Sequence, residues 1–313
     1  MNNLSMRHLR YFDALAQHGH FGRAAAACSI SQPALSLQIK ELESLLGAPL
    51  VERGARQIRL TVLGQDLAMR ARDILRAVDE LADMARAVSG PPAGPLRLGV
   101  IPTVAPYLLA SLIGDLGARF PQLDVHPREA VTARLMADLG DGRLDAAIVA
   151  LPVPEPSIVA HMLIEEEFVL VRPAGDAHKP VPDTDMLREM RLLLLEEGHC
   201  FRDQALSFCK PSRTMARPLM EGSSLSTLVQ MVGAGIGVTL IPQMALPIET
   251  RAANVAIAAL AVPRPSRRIG IVWRKSNPMA RQLERIADCV RASAAALAGR
   301  AAWPAPAAPE PQA

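Results

Sequence analysis

Residues 31–47, SQPALSLQIKELESLLG, spell a helix with both ends marked. Ser31 is a good N-cap, because its side-chain oxygen can accept an N–H of the first turn. Pro33 is tolerated there, since a first-turn N–H has no partner within the helix. Leu35, Ile39, Leu42, Leu45 and Leu46 recur every three to four residues and form one apolar stripe. Gly47 closes the helix. Upstream, Phe21, Ala24, Ala25 and Cys28 mark a shorter helix. Before it lies a helix carrying Leu9, Phe12, Leu15 and Ala16, with a turn at His18–His20. Downstream, Leu50–Arg53 and Gln57–Thr61 are two extended pieces joined by a turn at Gly54, which reads as a hairpin. Helix, short turn, helix and hairpin make the winged helix-turn-helix plan, whose second helix lies in the DNA major groove.

The residues suit that task. Ser31, Gln32 and Pro33 open the candidate reading helix, and Ser36, Gln38 and Lys40 continue it. Glutamine can bond a base edge twice, while serine or lysine can hold phosphate. The first 60 residues carry seven Lys/Arg against four Asp/Glu. Arg53, Arg56 and Arg59 fall on the wing and favour a phosphate clamp. Composition alone would not point there. A formal net charge of +3 over 313 residues is too small for a general polyanion binder. Aromatics at 3% argue against a stacking surface for single strands. A small helical cap with a solvated basic hairpin fits the spacing too.

Beyond the hairpin, Thr61-x-x-Gly64 opens a helix running unbroken to about Val88, with Leu67, Ala71, Ile74, Leu75, Val78, Leu81 and Ala82 on one side. A lone amphipathic helix of that length needs a partner, and a second copy of itself is the simple choice. Ser89–Pro95 (SGPPAGP) reads as a hinge. From Leu96 the period changes to alternating strands and helices, which implies an α/β sheet with parallel pairs. The expected organisation is an all-α winged helix-turn-helix domain at 1–60, a long linker helix and hinge at 61–95, an α/β domain at 96–300 and a disordered Ala/Pro-rich tail at 301–313. The N-terminus carries no secretory signal, and no stretch is apolar enough for a membrane span, so the expected compartment is the cytoplasm.

Residues 4–64 resemble the DNA-binding domain of LysR-type transcriptional regulators. The resemblance rests on Leu9-Arg10-Tyr11-Phe12, Phe21-x-x-Ala24-Ala25, Ser31-Gln32-Pro33-Ala34-Leu35-Ser36, Ile39-x-x-Leu42-Glu43-x-x-Leu46-Gly47, Leu50-x-Glu52-Arg53 and Leu60-Thr61-x-x-Gly64. It implies double-stranded promoter DNA and RNA polymerase as partners. It further implies a homodimer through the linker helix, usually assembled into a homotetramer, and an α/β regulatory domain of two lobes like those of periplasmic binding proteins. Gly54-Ala55 at the wing tip departs from the polar residues usual there.

Four cysteines are present, Cys28, Cys200, Cys209 and Cys289. None forms a C-x2-C pair, so zinc and thioredoxin-like readings fail, and no metal or cofactor is expected. Cys28 and Cys289 lie on apolar helix faces. Cys200 follows His199 and precedes Arg202, two side-chain types that stabilise the reactive thiolate. Cys209 follows an apolar run. Read alone, the pair is better explained as two unrelated cysteines in a reduced protein. Gly198-His199-Cys200-x-Arg202-Asp203-Gln204-Ala205-x-x-Phe208-Cys209, with Gly94–Leu109 and Glu129-Ala130-x-Thr132, is similar to the peroxide-sensing members of the LysR family. That resemblance implies hydrogen peroxide as the signal, Cys200 as the residue oxidised and Cys209 as its disulfide partner. It implies a peroxide pocket of Thr103, Thr132, His199, Asp203 and Arg267. It also implies a glutaredoxin- or thioredoxin-type reductant, and antioxidant target genes of the catalase and alkyl hydroperoxide reductase kind. Were 200–209 helical, the two Cα atoms would stand about 13 Å apart, whereas a disulfide needs them within about 7 Å. A family member answering to a small organic effector between the lobes would carry the same fold with both cysteines idle. A peroxide-reducing enzyme would need no DNA-reading helix, and the chain is expected not to be an enzyme.

Overall fold

The computed structural model describes residues 4–52, 58–87, 90–183, 186–187, 190–209, 220–261 and 263–301. The chain divides into two compact units, Met1–Val88 and Ser89–Ala313.

The first unit holds α1 (Met6–His18), α2 (Phe21–Ala27), α3 (Gln32–Leu46) and α4 (Val62–Ala87). Ser31 caps α3 by accepting the Ala34 N–H at 3.3 Å, and Gly47 ends it with φ at 70°, a backbone shape open to glycine at little cost. Phe12, Leu15, Leu35, Ile39, Leu42 and Leu50 form the core. The wing is anchored rather than free. Val51 pairs with Leu60 in an antiparallel bridge, and the Glu52 N–H donates to the Arg59 carbonyl at 2.9 Å. The Glu43 carboxylate of α3 accepts the Leu50 and Val51 N–H groups at 2.8 and 3.2 Å. The wing tip, with Arg53 and Arg56, lies outside the described residues. α4 packs on α1 through buried Ala68 and Ala71 and through an Arg72–Asp13 ion pair at 2.8 Å.

The second unit is built on one twisted sheet in the order β2-β1-β3-β9-β4-β7, with β8 also on β4. The strands are β1 (Gly94–Val100), β2 (Leu123–Glu129), β3 (Ala146–Leu151), β4 (Ile158–Pro173), β7 (Thr239–Pro242), β8 (Val255–Ala259) and β9 (Ser266–Arg274). β1 pairs parallel with β2 and β3, and β9 runs antiparallel to β3 and β4. A parallel pair, β5 (Leu193–Leu195) and β6 (Met220–Gly222), lies beside β7 through the Leu192–Val238 bridge. The helices are α5 (Ala105–Arg119), α6 (Thr132–Gly140), α7 (Cys200–Cys209), α8 (Leu225–Gly233), the single turn α9 (Leu246–Glu249) and α10 (Ala280–Ala301). β4 runs through both lobes: its first half pairs with β9, and its second half with β7 and β8.

Two differences from the sequence expectation have clear causes. β1 starts at Gly94, inside the expected hinge, because the Gly94 N–H donates to the Gln122 carbonyl at 2.8 Å and pairs the chain with β2. β4 also includes Glu165-Glu166-Glu167, three consecutive acids. Across the ladder they face Arg268, Arg267 and Ser266, and cross-strand pairing of opposite charge makes the run a strand. Ala301, the first residue of the expected tail, ends α10, and 302–313 lie outside the described residues. No described helix is long and apolar enough to cross a membrane.

Gly64, in the first turn of α4, sits against the Leu50 carbonyl oxygen where a β-carbon would collide with backbone. Gly64→Ala should therefore lower the stability of the first unit by about 1–3 kcal/mol. The measurement is urea unfolding of the full chain. The helical circular dichroism transition should move to lower urea, while that of tryptophan fluorescence, which comes from Trp273 and Trp303 and from no residue of the first unit, stays put.

Candidate functional site

Three helices of the second unit begin at one place. α5 follows β1, α6 follows β2 and α7 follows β5, so their N-termini meet beyond the carboxyl ends of parallel strands. That is where open α/β sheets bind ligands, and helix N-termini there favour negative charge. A cleft of about 170 Å³, counting its open mouth, is lined by Ile101, Pro102, Thr103, Val131, Thr132, His199 and Cys200.

Cys200 is the first residue of α7 and half-buried. The structure thus brings four of the expected residues, Thr103, Thr132, His199 and Cys200, onto one cleft wall. The Thr132 hydroxyl is buried and has no hydrogen-bond partner in the protein. The Thr103 hydroxyl is positioned differently. It accepts from Arg267 Nη1 at 2.7 Å, while Arg267 Nη2 donates to the Thr103 carbonyl at 3.0 Å. With one lone pair engaged by Arg267, the hydroxyl keeps its own proton to donate. Arg267 therefore stands behind the cleft rather than in it. Its Nε donates to Glu166 Oε1 at 2.7 Å, and Glu166 Oε2 accepts the Met244 N–H at 3.0 Å. Both side chains are sealed from water, at 0% and 3% exposure. The guanidinium lies 5.5 Å from the centre of the Phe201 ring, next to Cys200 in the chain. Phe201 in turn meets Phe168 edge-on at 4.9 Å.

Two expected residues lie elsewhere. Asp203 is exposed, in the first turn of α7 and off the cleft lining. Arg202, which the sequence suggested would steady the thiolate, donates to the Leu195 carbonyl at 2.9 Å and to Glu221 at 2.5 Å. Two residues on, a helix has turned about 200° from Cys200, so the guanidinium leaves on the far side. Cys209 ends the same ten-residue helix, and its side chain lies outside the described residues.

Sequence reading missed Ile101, Pro102 and Val131 on the lining, and Glu166 behind it. Glu166 had a signal in the triple-glutamate run opposite Arg267 and Arg268, but only strand register selects the middle acid. It also missed a partly buried bridge between the lobes. Tyr107 of α5 and Ser226 of α8 both donate to Glu249 of α9, each at 2.6 Å. Burial first, and then the Glu249 carboxylate, push the Tyr107 phenol far above its ordinary value, so it remains the donor.

In the first unit, Ser31, Gln32, Pro33 and Lys40 are exposed on α3, and Ser36 and Gln38 are half-buried. Ser31 is engaged in capping, and Gln38 Nε2 donates to Glu41 at 2.8 Å.

Comparison with known proteins agrees with both units. Residues 6–65 match the model of the bacterial regulatory helix-turn-helix protein, lysR family, and residues 89–295 match the LysR substrate binding domain. A "Probable hydrogen peroxide-inducible genes activator" of Streptomyces viridosporus is 42% identical over 291 residues, covering 92% of this chain and 93% of that protein. The "DNA-binding transcriptional dual regulator OxyR" of Escherichia coli K12 is 40% identical over 293 residues, covering 92% and 95%. The structure of a full-length OxyR variant from Pseudomonas aeruginosa superposes with a TM-score of 0.73 at 37% identity, covering 93% of this chain and 96% of that one.

Removing Arg267 would strand Glu166 as a buried, unpaired charge. Arg267→Ala should destabilise the second unit by about 3–5 kcal/mol, whereas replacing both charges together (Arg267→Met with Glu166→Leu) should recover most of that. The urea midpoint of tryptophan fluorescence measures both.

Proposed function

The chain belongs to the LysR family of transcriptional regulators, with OxyR proteins among its relatives at about 40% identity, and from that premise we propose that it senses hydrogen peroxide through Cys200 and Cys209. It is a regulator and not an enzyme, and its helix-turn-helix domain implies DNA binding. The observation that carries the peroxide reading is the cleft. A cysteine at a helix N-terminus shares it with a histidine, a threonine hydroxyl whose proton is free to donate, and a buried threonine hydroxyl with no protein partner. Hydrogen peroxide donates and accepts at each oxygen and suits such a lining.

The chemistry balances with these groups. The Cys200 thiolate attacks one peroxide oxygen, forming an S–O bond as the O–O bond breaks. The departing hydroxide takes a proton and leaves as water. The resulting sulfenic acid is attacked by the Cys209 sulfur, an S–S bond forms, and the second oxygen leaves as water. Thr103 and Thr132 hold the peroxide, and His199 lies within the same lining. Arg267 acts through Thr103, and Asp203, being exposed, acts at the rim. Closing the disulfide requires α7 to unwind, because its ends stand about 13 Å apart and must come within about 7 Å. Unwinding withdraws Phe201 from Arg267 and Phe168.

The output is a change in how paired DNA-reading units are presented to promoter DNA and RNA polymerase. Ser31, Gln32, Pro33, Ser36, Gln38, Lys40, Arg53 and Arg56 form the DNA-binding set. A homodimer joined along α4 is supported by its exposed Leu63, Met69, Ile74, Val78 and Leu81, and dimers pair into a homotetramer. Antioxidant genes are the targets, and a glutaredoxin- or thioredoxin-type protein resets the switch.

Peptide mass spectrometry with iodoacetamide trapping, before and after stoichiometric peroxide, tests this. The expected result is a loss of two hydrogens mapped to a Cys200–Cys209 link. Cys200→Ser should abolish oxidation, Cys209→Ser should stop it at the sulfenic acid, and Thr132→Val should slow it about tenfold, the scale of one lost hydrogen bond. If both thiols stay fully alkylatable, the peroxide reading fails, and an organic effector between the lobes takes its place.

A further inference from the structure

α3 has two faces. The inward one carries Leu35, Ile39 and Leu42, at 0%, 2% and 0% exposure, and is the share α3 gives to the core of the unit. The outward one carries a leucine with no place in that core: Leu37 is 64% exposed. Single exposed leucines are ordinary on protein surfaces. This one is not single. Pro33 and Ala34, four and three residues earlier, are exposed on the same face. Together they make an apolar patch on the first two turns of the second helix of the helix-turn-helix. Those are the turns that enter the major groove and meet base edges.

The surroundings narrow the partner. The patch sits at a capped helix N-terminus with no acid in its first turn, beside exposed Gln32 and Lys40. That is a setting for a polyanion, and an apolar peptide or a lipid chain has nothing to match there. Of the polar readers, Gln38 has its amide nitrogen engaged with Glu41 on the free helix. The centre of the reading face is thus apolar. The major groove of duplex DNA offers one apolar base feature, the 5-methyl group of thymine.

We propose that Leu37, with Pro33 and Ala34, reads thymine methyl groups in the major groove and is a specificity-determining residue of this regulator. The inference rests on the DNA binding implied by the family and is independent of the peroxide chemistry. Leu37 places its methyls against a thymine methyl and excludes water from both. Cytosine at that position offers no methyl and leaves its amino group against an apolar surface without a hydrogen-bond partner. The result is a preference for T·A over C·G at the positions Leu37 covers.

The test uses the full-length chain, reduced and peroxide-treated. Bound duplexes are first selected from a randomised pool. Each selected thymine is then replaced by deoxyuridine, which lacks only the 5-methyl. The wild-type chain should lose about fourfold in affinity at one or two thymines per half-site, the scale of one buried methyl. Leu37→Ala should lose that discrimination at the same positions while keeping the wild-type salt dependence, since phosphate contacts are untouched. Because Leu37 lies outside the core, its replacement should leave the thermal unfolding of the first unit unchanged. Equal binding of thymine and deoxyuridine duplexes by the wild type at every position overturns the proposal. So does full methyl discrimination in Leu37→Ala, or a loss of self-association in that variant with DNA discrimination intact, which would assign the patch to a second copy of the chain. Failure to enrich any duplex sequence overturns the DNA-binding premise itself, a result separable from the others.

Discussion

A guanidinium shut away from water constrains the centre of the regulatory unit. Arg267 cannot be solvated there, so each of its polar groups must find a protein partner. Glu166, Thr103 and the Phe201 ring supply them. Each of these partners commits a different element: Glu166 commits β4 to its register beside β9, and Thr103 commits the loop after β1. Phe201 commits the first turn of α7. One buried cation therefore links strand pairing, the cleft wall and the cysteine-bearing helix. Because the pair is buried and directional, it specifies arrangement more than it adds net stability.

α7 is held at the cleft by contacts that a helical backbone alone allows. Phe201 and Ala205 are buried on its inner side, and Arg202 ties its outer side to Leu195 and Glu221. The geometry that satisfies these contacts also separates the two cysteines. The segment can meet its packing needs or close a covalent bond between its ends, and not both. Such mutual exclusion is what a two-state element requires, since packed cores move between discrete arrangements rather than deforming smoothly. Tyr107, Ser226 and Glu249 bridge the lobes near the same loop, because Tyr107 lies one turn beyond Thr103.

The first unit follows a different logic. Its core is small, and its fixed points are carboxylates and caps: Glu43 on the wing's first strand, Asp13 with Arg72, Ser31 on α3. These orient α3 with its outward face free of core contacts. The apolar residues left outside, on α3 and along α4, are the ones a folded monomer has no use for.

Much of this was legible in the chain alone. Helix periods, Ser31, Gly47 and the change of period at the hinge are local signals, set by capping chemistry and by which residues can face a core. The residues around Cys200 likewise carry their chemistry in their identities. The sequence could not assign side chains to sides. Glu166 rather than its neighbours faces Arg267 because strand register decides it, and Arg202 turns from Cys200 because the helix has rotated between them. Arg267 read as a cleft residue, yet it stands one layer behind, donating to Thr103. The sequence by itself determined most of the elements, since these depend on neighbours within a few residues. Only the tertiary structure decided which groups meet, because that depends on registers and rotations summed over more than a hundred residues of chain between Thr103, Cys200 and Arg267.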